Sequence, residues 1–198
     1  MTVSSETNSY IIVFTSCGLA VMFAFLQYLI IKETKLQVIT EDLETNPLVS
    51  KYSVATKLNR IYLAIREGAE AFIQAEYSIC WMFVFVYGVV IFFLISWAEN
   101  DCIIGAFTVT AFFLGASTSM LSGYIGMKVA VFSNVRTTIN AQKEGFSACF
   151  NTAFRAGSVM GFCLCGLGIS VLFSLLLLFR LYFRPSQWES MMNCVAGY

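Results

Sequence analysis

Apolar and polar residues fall in long blocks along the chain. Four runs, at about 10–31, 77–98, 102–135 and 147–179, are almost free of charge. A helix rises about 1.5 Å per residue, so about 20 apolar residues cross the roughly 30 Å hydrocarbon core of a bilayer. Each run is long enough. Backbone groups inside lipid must bond to one another, so the runs predict transmembrane helices. The period-two alternation of a membrane barrel is missing. A different pattern leads into the second run. From Val54 onward, Leu58, Ile61, Tyr62, Ile65, Ala69, Phe72 and Ile73 recur at helical spacing. This predicts an amphipathic helix over 54–76, with Arg66 and Glu70 spaced to pair at i, i+4. Glu41–Pro47 is polar and turn-like. The expected fold is an all-α, polytopic membrane helical bundle with four transmembrane helices.

Composition supports a bilayer as solvent. Hydrophobic residues make up 58% of the chain and charged residues 12%, against roughly 45–50% and about 25% in soluble domains. The formal net charge is zero, which gives no electrostatic reason to expect nucleic acid as a partner. Histidine is absent, which removes the commonest general base and zinc ligand. The seven cysteines lie mostly within apolar runs and form no CxxC pair. They read as small hydrophobic side chains. The opening MTVSSETNS has no basic residue, and Tyr10–Ile31 is too long for the core of a signal peptide. That run reads as a retained transmembrane helix.

The links differ in charge, and this orients the helices. Lys32–Glu76 carries Lys32, Lys35, Lys51, Lys57, Arg60 and Arg66, whereas Glu99–Asp101 carries no basic residue. Lys128, Arg136 and Lys143 accompany the third link. The positive-inside rule puts the first and third links, and with them the amphipathic helix, in the cytosol. The amino terminus, the acidic link and the tail after Phe179 then face the other side. Arg180 and Arg184 run against that last assignment.

Candidate chemistry is sparse. Gly115, Ser119 and Gly123 are four residues apart in the third span, as are Ser122, Gly126 and Ala130. Gly157 and Gly161 repeat the spacing in the fourth. Such spacing lets helix backbones approach closely in lipid, so the third and fourth spans are expected to pack tightly, with further helices nearby. Lys128, Arg136 and Arg155 are candidates for ion pairing or coupling. Lys128 and Arg155 also read as rim charges reaching the interface, and Arg155 as an ion-pair or phosphate contact. Glu67, Glu70 and Glu76 read as a solvated helix face. There is no Walker loop, GxSxG or HExxH, and aspartate occurs only at Asp42 and Asp101. No catalytic, cofactor-binding or metal-ligating residue is assigned.

Three stretches resemble signatures of the membrane-bound proton-translocating pyrophosphatases. Residues 113–138, FLGASTSMLSGYIGMKVAVFSNVRTT, are similar to the third-helix pattern FLLGxxTSxxSGxxGMKxAxxANxRTT. Residues 65–77, IREGAEAFIQAEY, resemble EGAxAFLxxEY, and residues 150–162, FNTAFRAGSVMGF, resemble FxTAFRxGAVMGF. The resemblance covers about 10–198 and is strongest over 65–162. It implies a single-chain pump of about sixteen transmembrane helices, working as a homodimer. Such a pump hydrolyses magnesium pyrophosphate and moves protons, or sodium ions in some members, across a membrane such as that of a vacuole or acidic compartment. Departures are also visible. Ser133 and Val135 stand where the family has alanines, EARKG reads as the Asn140–Gly145 stretch NAQKEG, and AANGLL reads CGLGIS from Cys165. The family's KxxDVGxDLVGKVE segment has no counterpart here. The chain is therefore expected to be an amino-terminal part that stops before the catalytic residues. It would pack as scaffold against the remaining helices, its magnesium ligands would lie elsewhere, and the isolated chain would be inactive. The alternative is a non-catalytic four-helix membrane protein with a structural or regulatory role.

Overall fold

The computed structural model describes residues 2–33, 49–143 and 145–198. Glu41–Pro47, expected to be turn-like, lies outside the described residues. Those described hold five α-helices and no strand: α1 (Thr2–Glu33), α2 (Val49–Ala98), α3 (Cys102–Lys143), α4 (Phe146–Tyr182) and α5 (Trp188–Val195). A 3-10 turn, Pro185–Gln187, precedes α5. Four helices are long and apolar enough to cross a membrane, through Asn8–Lys32, Lys57–Ala98, Cys102–Gln142 and Phe146–Tyr182. The fold is all-α, and the protein is an integral, multi-pass membrane protein. Large apolar side chains such as Met82, Phe93 and Trp97 are exposed, as expected of a surface solvated by lipid.

The helices are longer than the apolar runs. α2 is continuous over 50 residues, about 75 Å at a helical rise. The amphipathic segment and the second span are thus one helix, because no proline or helix-ending turn separates Glu76 from Tyr77. α3 continues through residues 136–143, where charge alone suggested a link. Its polar side chains bond back to the preceding turn, Thr137 Oγ1 to the Ser133 carbonyl at 3.0 Å and Thr138 Oγ1 to Asn134 at 3.0 Å. They leave the helical backbone bonds in place. The helix ends at Lys143, and Gly145 has a left-handed φ of +78°, which suits glycine. Between α2 and α3, Asn100 adopts φ 52°. Asp101 Oδ1 then accepts the Ile103 N–H at 2.8 Å and caps α3.

Two compact units divide the chain. The first comprises Met1–Ala20, Ala75–Gly123 and Leu164–Tyr198. Its core joins Ala111 to Leu175, Phe179, Phe183, Met191, Cys194 and Val195. Phe107 packs on Phe179 and Phe183, with ring centroids 5.0 and 5.2 Å away. α5, an element the apolar pattern did not reveal, contributes Met191, Cys194 and Val195 to this core. The Tyr198 main chain lies against Gly115, and its hydroxyl donates to the Gly168 carbonyl at 3.1 Å.

The second unit comprises Val21–Gln74 and Tyr124–Cys163. Ala24 and Ile31 of α1 meet Val129 of α3 and Ala156 and Val159 of α4 in its core. Phe23 sits edge-on to Phe162 at 4.8 Å, and Tyr28 packs on Phe132 at 5.3 Å. Gly126 admits the Met160 ε-methyl, which would lie 3.2 Å from an added Cβ.

Candidate functional site

Lys128 does more than reach towards an interface. Its Nζ donates to Glu70 Oε1 at 2.6 Å, and Arg66 Nε donates to the same oxygen at 3.2 Å. The expected Arg66–Glu70 pair thus becomes a three-charge group that joins α2 to α3. Lys128 also lies 5.5 Å from the centre of the Tyr124 ring. Side-chain exposures of 41–55% leave these charges at the surface of the helices rather than buried between them. Pairs of that kind contribute about 0–1 kcal/mol. The group therefore links α2 to α3 while adding little stability. A cavity of about 370 Å³ adjoins it, with Tyr28, Tyr62, Ile73 and Phe132 in its wall. Sequence spacing places Glu70 on a solvated face and pairs it with Arg66, but its second partner, Lys128, is 58 residues away.

Arg136, two turns further along α3, is buried. Its Nη1 donates to the Phe132 carbonyl at 2.7 Å, and its guanidinium lies 3.4 Å from the Phe132 ring centre. Nε has no hydrogen-bond partner, and no carboxylate pairs with Arg136 among the described residues. A buried charge is costly unless paired, so aromatic stacking and one carbonyl leave this guanidinium under-compensated. One turn on, Asn140 Nδ2 donates to Thr152 Oγ1 at 2.6 Å and ties α3 to α4. Thr152 Oγ1 in turn donates to the Ala148 carbonyl at 2.9 Å.

Arg155 is exposed and forms no ion pair among the described residues. It lines a second cavity, of about 430 Å³, with Asn140, Ser147, Asn151 and Thr152. The described residues thus bring Lys128 to a partner, bury Arg136 without one and leave Arg155 open. The three do not share a site.

The small residues separate in the same way. Gly126 faces α4, but Gly123 faces α2: Tyr77 Oη would be 2.9 Å from a Cβ there, and that hydroxyl donates to the Met120 carbonyl at 2.6 Å. Gly115 faces Tyr198, and Ser119 is exposed. An added Cβ at Gly157 or Gly161 meets nothing within 4 Å. Contact between α3 and α4 in the second unit includes Gly126 against Met160, beside the Val129, Ala156 and Val159 core and the Asn140–Thr152 bond. Of the expected small-residue stripes, Gly126 meets α4, while Gly157 and Gly161 meet no described neighbour.

All seven cysteines are free. Burial pushes the Cys194 thiol above its ordinary value, and a hydrogen bond with Thr108 offsets part of the shift. No group of three or more His, Cys, Asp or Glu side chains that could hold a metal occurs among the described residues.

Residues 18–198 match the family described as inorganic H+ pyrophosphatase. The chain belongs to that family. Over 114 residues it is 34% identical to a Clostridium tetani protein named for a K+-stimulated, pyrophosphate-energised sodium pump, covering 57% of this chain and 16% of that protein. Over 123 residues it is 32% identical to a Methanosarcina mazei protein named K+-insensitive pyrophosphate-energised proton pump, covering 62% of this chain and 17% of that one. A Moorella thermoacetica protein with the same style of name is 31% identical over 125 residues. The chain thus matches about one-sixth of the length of these relatives. Within the pyrophosphatase signatures, Lys128 belongs to the third-helix GMK, whereas Glu70 occupies the open position of EGAxAF. The ion pair therefore links a signature residue to one that the pattern does not specify.

Proposed function

We propose that this chain is part of a pyrophosphate-energised proton pump, in which it serves as helical scaffold and carries no hydrolytic centre of its own. The observation behind this reading is the family match over 18–198. Hydrolysis of pyrophosphate calls for metal ions that neutralise phosphate charge and for a positioned water. Magnesium binds through carboxylate oxygens. The described residues do not fit that ion, since they gather no such cluster. The magnesium of the whole pump would be held by helices beyond these four, and a homodimer would form through the whole protein. In this role the Lys128–Glu70–Arg66 group links α2 to α3. Arg136, buried beside Phe132, takes its counter-charge from outside the described residues. Gly157, Gly161 and Ser119, open in this chain, receive neighbouring helices.

A chimaera tests the reading. The corresponding segment of the Methanosarcina mazei relative is replaced by this chain, and pyrophosphate-dependent acidification is measured in membrane vesicles. Acidification by the chimaera, with no phosphate release by the 198-residue chain alone, is the expected result. A chimaera that reaches the membrane but neither hydrolyses nor pumps would overturn the scaffold role. Magnesium-dependent hydrolysis by the isolated chain would overturn the absence of a centre.

A further inference from the structure

A cavity of about 340 Å³ lies in the first unit, where α3 begins and α4 ends. Asp101, Arg184 and Ser190 supply its polar side, and Ile103, Ile104 and Tyr182 its apolar side. A carboxylate and a guanidinium thus open into one cavity, yet no ion pair joins them among the described residues. Asp101 Oδ1 accepts the Ile103 N–H, which leaves the second carboxylate oxygen available. A simple ion would satisfy one of the two charges and be repelled by the other. A ligand that carries both charges satisfies both. The guanidinium fork matches phosphate oxygens, and the free carboxylate oxygen accepts from an ammonium.

Its level along the helices selects a lipid as the source of those charges. Ser96 of α2 lies against Gly105 of α3, so Trp97 stands level with Ile104. Tyr182 packs on Phe107, with ring centroids 4.7 Å apart, one turn inside Ile103. Trp97, Tyr182 and Trp188 are all strongly exposed. Exposed Trp and Tyr at the ends of spanning helices collect at the headgroup level of a bilayer. Asp101 and Arg184 lie just beyond the ends of α3 and α4, whereas Ile103 and Tyr182 lie within them. The cavity therefore passes from charged to apolar in the direction from water to hydrocarbon. Leu178 and Leu181, both exposed, continue the apolar surface along α4. We infer that the cavity binds the headgroup of phosphatidylethanolamine, with its phosphate on Arg184 and its ammonium on Asp101. A choline headgroup has no N–H for Asp101, and a glycerol headgroup brings it no positive charge. The inference rests on the membrane placement of α3 and α4, holds for either orientation and is independent of pump activity.

The test is native mass spectrometry of the detergent-purified chain titrated separately with phosphatidylethanolamine, phosphatidylglycerol and phosphatidylcholine. One retained phosphatidylethanolamine is expected, bound about tenfold more tightly than either of the others. Asp101→Asn keeps the cap of α3, because Asn caps as well as Asp, and should erase that preference. Arg184→Gln should weaken all three lipids, by about tenfold for phosphatidylethanolamine. Lys57→Gln, outside the cavity, should change nothing. Helicity by circular dichroism verifies that each variant is folded. Equal retention of the three lipids by the wild type would overturn the proposal, as would a folded Asp101→Asn that keeps the wild-type preference. Displacement of the lipid by millimolar phosphoethanolamine would also overturn it, by identifying a soluble zwitterion as the occupant.

Discussion

Lys128 and Glu70 show how much one contact changes the meaning of a charged residue. Their Nζ–Oε1 distance of 2.6 Å is short, but both side chains are well exposed, which limits the gain. A double-mutant cycle with Lys128→Met and Glu70→Gln, followed by reversible unfolding in mixed micelles, should give a coupling of about 0.5–1 kcal/mol. Additive effects within error would mean that the pair does not persist. Cys194 and Cys102 form a second contrast. Cys102 is exposed at the start of α3, while Cys194 is buried with its thiol pKa raised by burial. Only the thiolate reacts, and a raised pKa keeps the thiol protonated to higher pH. Maleimide at neutral pH should therefore modify exposed Cys102 well before Cys194, which is buried in the core and has its thiol held protonated. Equal rates for the two at pH 7 would mean that α5 does not stay docked.

At the scale of elements, glycine spacing and glycine environment give different information. The spacing of Gly123, Gly126, Gly157 and Gly161 identifies helices able to pack closely, but not which neighbour each faces. Gly126 receives Met160 and Gly123 receives Tyr77, whereas Gly157 and Gly161 face open space. In the chain alone, Gly126→Leu should destabilise by about 1–3 kcal/mol through overpacking. Gly161→Leu should leave thermal unfolding of the same chain within about 0.5 kcal/mol of wild type. If Gly161→Leu proves as damaging as Gly126→Leu, α4 packs through its glycines after all. The length of α3 teaches a related lesson. Charge at Arg136 and Lys143 points to a link, yet the side chains of Thr137 and Thr138 bond to their own helix, which continues to Lys143, and Gly145 just beyond is left-handed. Charge marks where a helix leaves lipid, and Gly145 marks where it ends.

At the scale of the whole molecule, topology follows from the bias in basic residues. We propose that the start of α2 faces the cytosol and that the α2–α3 link faces away from it. Single cysteines at Ser50 and Asn100, in a background with the seven native cysteines replaced, should react with impermeant maleimide from opposite sides of sealed vesicles. Labelling of both from the cytosolic side would refute the orientation. The short link between Ala98 and Cys102 requires α2 and α3 to enter and leave on the same face, whatever the orientation.

Hydrophobic run length, loop charge and three signature stretches were sufficient to read membrane residence, the number of spanning helices and the family from the sequence. These are properties of local composition and order, because a bilayer selects for length and polarity of each segment separately. The partners of the candidate residues were not legible. Glu70 lies 58 residues from Lys128, and Tyr77 lies 43 from Met120. Neither periodicity nor charge count states which helix faces which across such separations. α5 escaped notice for the same reason: eight residues are too short for a convincing apolar period, and Met191, Cys194 and Val195 read as core only when packed on Ala111, Leu175 and Phe179. Tertiary structure alone decided that Lys128 is paired, that Arg136 is buried without a carboxylate among the described residues and that Arg155 opens into a cavity, because each depends on the azimuth at which one helix meets another.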